Sequence, residues 1–327
     1  MAISGRDVAL GGLVFVLIVG LLVGGTAALG TLAVIVSPSD DTEPRGYDVD
    51  DLHIEQLPAE GDVPVPTAEP GVVVIDRAHG NAIDDGELRE LTRTLVLAGH
   101  DVRVVTSPGE FGEALDGANA LVVVDPQQAY SGATVDVVES FVDDGGHLLL
   151  MGQPNRMAIE EFALIERNSE IDSVANRFGI SFGEDHVYDM QANDGNHRNI
   201  QTMSTDHALV SDVDTAVFYT ATHVAAAEGE PILVSAETTA RAKTGAQDEY
   251  VLGTVSGNVM AIGDVDFLVG ERYNVADNNE LIGAIVAFLG EGEEVEGEFD
   301  DGEPVEDVPD DEPPEDPAPD DESPPPG

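Results

Sequence analysis

The chain has 327 residues, 65 of them acidic and 13 basic, giving a net charge of -52. That length suits one or two domains, and the lack of clustered Lys and Arg argues against nucleic acid as a partner, because phosphate neutralisation needs them. No Cys is present, which removes disulfides, thiolate zinc sites, Cys nucleophiles and a Cys-linked lipid anchor.

Lys243 is the only lysine. Such an acidic excess makes a compact protein repel itself at low salt. At molar salt the Debye length shrinks to about 3 Å and the repulsion is screened. The composition therefore predicts a halophilic protein, with cation binding by the surface acids as the alternative.

In chain order, residues 1–7 are expected to be a short cytoplasmic N-terminus. Val8 to Val36 is a run of 29 residues without a charge, and about 20 helical residues cross a bilayer. The run predicts one transmembrane helix over 8–36. A cleaved signal peptide is the alternative, but its apolar region spans only about 7–15 residues. Arg6 precedes the run and Asp40, Asp41 and Glu43 follow it. The positive-inside rule then puts the main domain outside the cell membrane, on a single-pass anchor.

Residues 37–70 hold ten acids and six prolines with no hydrophobic period, which predicts a linker. Residues 291–327 carry 18 acids, nine prolines and no basic residue, which predicts a disordered acidic tail.

Between them, residues 71–290 alternate strand and helix signals. Gly71–Asp76, Asp101–Thr106, Ala120–Asp125 and His147–Met151 read as buried strands. A helix follows a capping box of Asp84 and Glu87, presents Leu88, Leu91, Leu95 and Ala98, and ends at Gly99. Another presents Val135, Val138, Phe141 and Val142 and stops at Gly145-Gly146. This βαβαβαβ order predicts an α/β fold in three layers, a mostly parallel sheet with helices on both faces. The second half predicts a helix at 169–178, partly antiparallel strands at 215–219, 231–236, 249–255 and 258–263, and a last helix at 279–289.

Ligands of open α/β sheets bind beyond the carboxyl ends of the strands. The polar residues expected there are Asp76, His79, Asn81, Asp125, Asn155, Arg156, Asp264, Asp266 and Asn278. His79 with Asp264 and Asp266 could hold a cation or act in acid/base chemistry. The same residues could instead shape turns, pair with Arg77 or Arg156, or cap backbone amides. No phosphate-cradling G-x-x-x-x-G-K-[ST] motif and no G-x-S-x-G elbow is present. The sequence assigns no catalytic residue, metal or cofactor.

Four stretches carry a resemblance. They are Val74-Ile75-Asp76-Arg77-Ala78-His79-Gly80-Asn81, the Asp125-Pro126 strand end, Phe141 to Leu150, and Gly263 to Leu268 with Asp277-Asn278-Asn279. In these, residues 71–290 resemble the membrane-anchored domain-of-unknown-function family 4350. That resemblance implies a flavodoxin-like or class I glutamine-amidotransferase-like fold. It also implies kinship with gliding-motility auxiliary proteins and an intraflagellar-transport domain, which act as binding or assembly modules. Amidotransferases of the group use a Cys nucleophile on a strand-to-helix elbow. This chain reads Met151-Gly152-Gln153-Pro154 after its fourth strand and has no Cys. The resemblance further implies association with other membrane proteins or a MoxR-type ATPase. The expected function is a membrane-anchored, non-catalytic binding or scaffold module, possible alternatives being a His/Asp- or metal-dependent hydrolase or transferase and a substrate-binding accessory to a transporter.

Overall fold

The computed structural model describes residues 56–83, 86–160, 163–297 and 299. Among these residues no helix is long and apolar enough to cross a membrane. The expected span at 8–36 lies outside them, as does Asp84 of the expected capping box.

The first half runs β1 (Val72–Asp76), α1 (Arg89–Ala98), β2 (Asp101–Val105), α2 (Phe111–Leu115), β3 (Ala120–Val124), α3 (Gly132–Asp143) and β4 (His147–Met151). α1 begins at Arg89, with Leu88 at its N-cap and no side-chain cap. Its apolar period sets the burial: Leu91 and Leu95 are fully buried. Gly99, at φ +99°, ends α1 in the left-handed conformation that favours glycine.

The second half runs β5 (Arg156–Glu160), β6 (Ala163–Arg167), α4 (Asp172–Ala175), β7 (Ile180–Tyr188), β8 (Asn199–Ser204), β9 (Thr215–Tyr219), β10 (Thr222–Ala226), β11 (Glu230–Ser235), β12 (Ala240–Arg241), β13 (Val251–Ser256), β14 (Val259–Ile262) and α5 (Asn278–Gly290).

One nine-stranded sheet has the order β2-β1-β3-β4-β14-β13-β11-β8-β9. Its first five strands are parallel and the other pairings antiparallel. Followed through these pairings, seven strands share one direction, and only β8 and β13 oppose it. A second sheet, β10-β7-β12, and the β5-β6 hairpin complete the strands. α1 and α5 pack on one face of the large sheet with Val73, Ile75 and Leu149. α2, α3 and α4 pack on the other with Val74, Leu121 and Leu148. Helices on both faces follow from fully buried parallel strands that alternate their side chains between two cores.

The chain passes from β1 outward to β2, then back across β1 to β3. The carboxyl ends of β1 and β3 therefore flank a topological switch point, where such sheets form a crevice.

The folded unit exceeds the expected 71–290 on both sides. Within the expected linker, Glu60 N–H bonds Asn274 O at 2.9 Å, Asn279 bonds Asp62 O at 3.1 Å, and Val63 is buried. Within the expected tail, Val295 is buried and bridges Ala118. These segments have too few apolar residues to show a period, yet each offers two to an existing core, Leu57 and Val63 to one and Val295 and Phe299 to the other.

Candidate functional site

β1 delivers Asp76 fully buried to the switch point. Its Oδ1 accepts the Ala78 N–H at 2.8 Å, which folds the following turn back. Its Oδ2 receives His79 Nδ1 at 3.0 Å, the Tyr130 hydroxyl, and more distantly Asn81 Nδ2 at 3.5 Å. The His79 ring stacks on Tyr130, with centroids 3.7 Å apart, and meets the edge of Phe111. The residue is only 4% exposed. Burial and the Asp76 charge push the Tyr130 phenol well above its ordinary range, so it stays a donor.

The same turn is laced to the end of β3. Asn81 donates to Val124 O at 2.8 Å, Ala82 N–H to Asp125 O, and Gln127 and Gln128 N–H to His79 O. Asp76, His79, Asn81 and Tyr130 thus form a closed latch between two strand ends.

Asp125 stands beside it at φ +38°. That is a left-handed conformation uncommon for a non-glycine residue, and such outliers concentrate at ligand clamps and active sites. The side chain is 2% exposed, and neither carboxylate oxygen makes a hydrogen bond of good geometry. Arg156 Nη2 lies 3.1 Å from Oδ2 and supplies a charge partner. Burial raises the Asp125 carboxyl, and Arg156 opposes that shift.

The third group comes from β14. A Cβ on Gly263 would lie 2.0 Å from Thr222 O, so the β14 end and the start of β10 cross at a distance only glycine permits. The crossing puts Asp264 fully inside, where its carboxylate accepts Tyr219 N–H at 2.8 Å, Asp266 N–H at 3.1 Å and Gln153 Nε2 at 3.4 Å. Burial raises its carboxyl well above the usual range, and the like charge of Asp266 adds to this. Burial also raises Asp266, against Arg272 and Arg156. Arg272 pairs with Asp266 at 3.4 Å and sits 4.5 Å over the Tyr219 ring.

The structure therefore brings together Asp125, Arg156, Asp264 and Asp266. Asp125, Arg156 and Asp266 line, with Gln153, a cleft of about 40 Å³, the scale of one or two waters. Asp76, His79 and Asn81 lie next to it, turned into the latch. Among the described ring and hydrogen-bond contacts, His79 meets neither Asp264 nor Asp266.

Two expected residues stand elsewhere. Asn278 is fully buried and bonds Val217 N–H and O, as a strand partner would. Asn155 accepts Ser169 N–H and donates its own N–H to Glu184 O, framing the β5-β6 hairpin. Sequence reading missed Tyr130 and Arg272, and named Gln153 only as part of the polar end of the fourth strand. The only available signal for Tyr130 was an aromatic just ahead of the Ser131 N-cap of α3.

No family model and no curated protein matches the chain. Among solved structures it is similar to the mmIFT52 N-terminal domain, with TM-score 0.54 and 11% identity over 68% of this chain and 98% of that one. A ThuA-like protein from Bacteroides uniformis aligns with TM-score 0.40 and 13% identity over 65% of this chain and 89% of that one. One from Parabacteroides merdae aligns with TM-score 0.38 and 13% identity over 70% and 93%. At these identities the likeness to the mmIFT52 domain is one of fold alone.

Proposed function

We propose that the domain is a non-catalytic binding or scaffold module whose ligand end is the rim of the switch-point cleft. The observation that carries this reading is the closed latch. His79, the one imidazole of the latch, is spent on Asp76 and packed between Tyr130 and Phe111. General acid–base work needs that ring within hydrogen-bond reach of a substrate proton, and the adjoining cleft holds about 40 Å³, against about 300 Å³ or more for an ordinary ligand pocket. Arg156 and Asp266, both partly exposed, offer one charge of each sign at the rim.

The finer parts of the reading belong to the same proposal. The fold is of the flavodoxin-like, amidotransferase-like type, which the order β2-β1-β3-β4-β14 supports. The chain is a haloarchaeal-type relative of the membrane-anchored family 4350, held at the cell membrane by residues 8–36 with this domain outside. Its partners are other membrane proteins or a MoxR-type ATPase system. The alternative is a His/Asp- or metal-dependent hydrolase or transferase.

Affinity purification of the full chain from native membranes, in gentle detergent and high salt, tests this. The expected result is a stoichiometric partner that is lost with Arg156→Glu plus Asp266→Arg. Hydrolytic turnover abolished by His79→Asn in a folded protein, or a tightly held metal in elemental analysis, would overturn it.

A further inference from the structure

We infer that the open edge of β2, with the side of α1 that overhangs it, is the face through which two copies of this chain pair about a twofold axis. Among the described strands β2 ends the large sheet, with β1 its only neighbour. Asp101 N–H bonds Gly71 O and Val105 O accepts Arg77 N–H, each at 2.8 Å. Residues of that parity face β1. Val102 and Val104, of the other parity, turn their backbone N–H and C=O outward, where no described strand pairs with them. An edge of this kind is a template for another strand.

Apolar side chains continue the edge. Val104 of β2 and Val96 and Leu97 of α1 are each more than half exposed, and all three line one groove of about 640 Å³. Solvent-exposed aliphatic side chains grouped in one concavity mark a contact surface. Neither Arg156 nor Asp266 lines this groove, so the edge stands apart from the rim of the switch-point cleft.

Charge and register select a second copy as the occupant. The chain carries 65 acids and 13 bases, so two copies repel over most of their surfaces. α1 and β2 together hold three arginines, Arg89, Arg93 and Arg103, against two acids, Glu90 and Asp101. Copies therefore meet here with the least repulsion. A twofold axis normal to the sheet at Val102 joins the two edges antiparallel. Val102 then exchanges both backbone bonds with its own copy, and Asp101 stands opposite Arg103 of the second copy, twice by symmetry. Both of these side chains are exposed. They occupy the closer, non-hydrogen-bonded positions of an antiparallel ladder, where opposite charges attract. An axis at Arg103 would instead set arginine against arginine. The same operation reverses α1. The Arg89 end of one helix then meets the Val96–Leu97 end of the other, and Val96, Leu97 and Val104 of both copies gather along the seam.

Sedimentation of the full chain in gentle detergent and high salt tests the pairing. The expected result is a dimer. Its dissociation constant rises at least about fivefold with Arg103→Asp or with Asp101→Arg, because symmetry turns two attractive pairs repulsive at once. The double variant, Asp101→Arg plus Arg103→Asp, restores the pairs with their signs exchanged. It is expected to return to within roughly threefold of the wild-type constant, which loss of folding in a single variant would not explain. Val104→Lys places a charge on the apolar seam and is expected to weaken the dimer by about tenfold or more, as lysine does at protected sheet edges. A monomer at every concentration overturns the proposal, as does a dimer that none of these variants weakens or a double variant no better than either single one. A complex with a different protein that Val104→Lys removes also overturns it, and would assign the edge to that partner.

Discussion

Tyr130 lays its ring flat against His79, centroids 3.7 Å apart, and donates a hydrogen bond from its hydroxyl to Asp76, the carboxylate that also holds the imidazole. One aromatic residue thereby both covers the histidine and shares its anchor. The arrangement ties the loop after β1 to the loop after β3.

Tyr130→Phe keeps the stack and removes one donor from a fully buried carboxylate. The expected cost is about 1–3 kcal/mol, the penalty for an under-satisfied buried acceptor. Denaturant unfolding in high salt reads it as a lower midpoint with unchanged slope. An unshifted midpoint would show that the hydroxyl contributes nothing to closing the switch point.

Gly292 tests whether the segment after α5 belongs to the fold. A Cβ there would sit 2.0 Å from Asn119 O and 3.2 Å from His147 N, both backbone atoms at the start of β3 and β4. Gly292→Ala is expected to cost about 3 kcal/mol or more, as overpacking against backbone does. A neutral result in thermal unfolding would mean that residues 291–297 are dispensable.

Asp264 sets a pH dependence. Its carboxyl is raised in the folded state above the unfolded value of about 3.9. Folding then favours the protonated form. The stability it contributes is complete below about pH 4 and is lost as pH rises through the folded value. Asp264→Asn stays uncharged, so its stability relative to wild type should improve as pH rises above about 4. Parallel pH profiles would remove Asp264 as the cause.

His100 works with the opposite sign. It is 4% exposed, and neither ring nitrogen makes a hydrogen bond of good geometry, although the Gly71 backbone is close. Burial lowers its pKa below 6.5, so the unfolded chain binds the proton more readily. Stability from the neutral ring is complete above about pH 6.5 and is lost as pH falls through the folded value. His100→Leu should gain on wild type as pH drops below about 6.5, measured by chemical denaturation. No difference between pH 7 and pH 5 would contradict this.

The parallel half of the fold was legible because its strands are continuous apolar runs. Ala120–Val124 and His147–Met151 are buried at every position, and the helices between them keep a 3.6-residue period. β7 and β8 escaped because polar residues interrupt each: Ser181, Glu184 and His186 stand in the first, Asn199, Gln201 and Ser204 in the second. Only the register against neighbouring strands makes them strands. The site was legible to the same extent. Strand-end position placed Asp76, Asp125 and Asp264 correctly at the carboxyl ends, but pattern could not say which side chains meet. His79 turned to Asp76, three residues away, and Asn278 to Val217, 61 residues away.

The latch is tested most directly by chemical acylation of histidine in the folded protein at high salt, with each site followed by mass spectrometry. His197 is exposed and serves as the internal standard, while His79 is buried. The account predicts that His197 reacts and His79 stays protected until the protein unfolds. Modification of His79 at the rate of His197, with the fold intact, would contradict it and return the ring to the list of reactive groups.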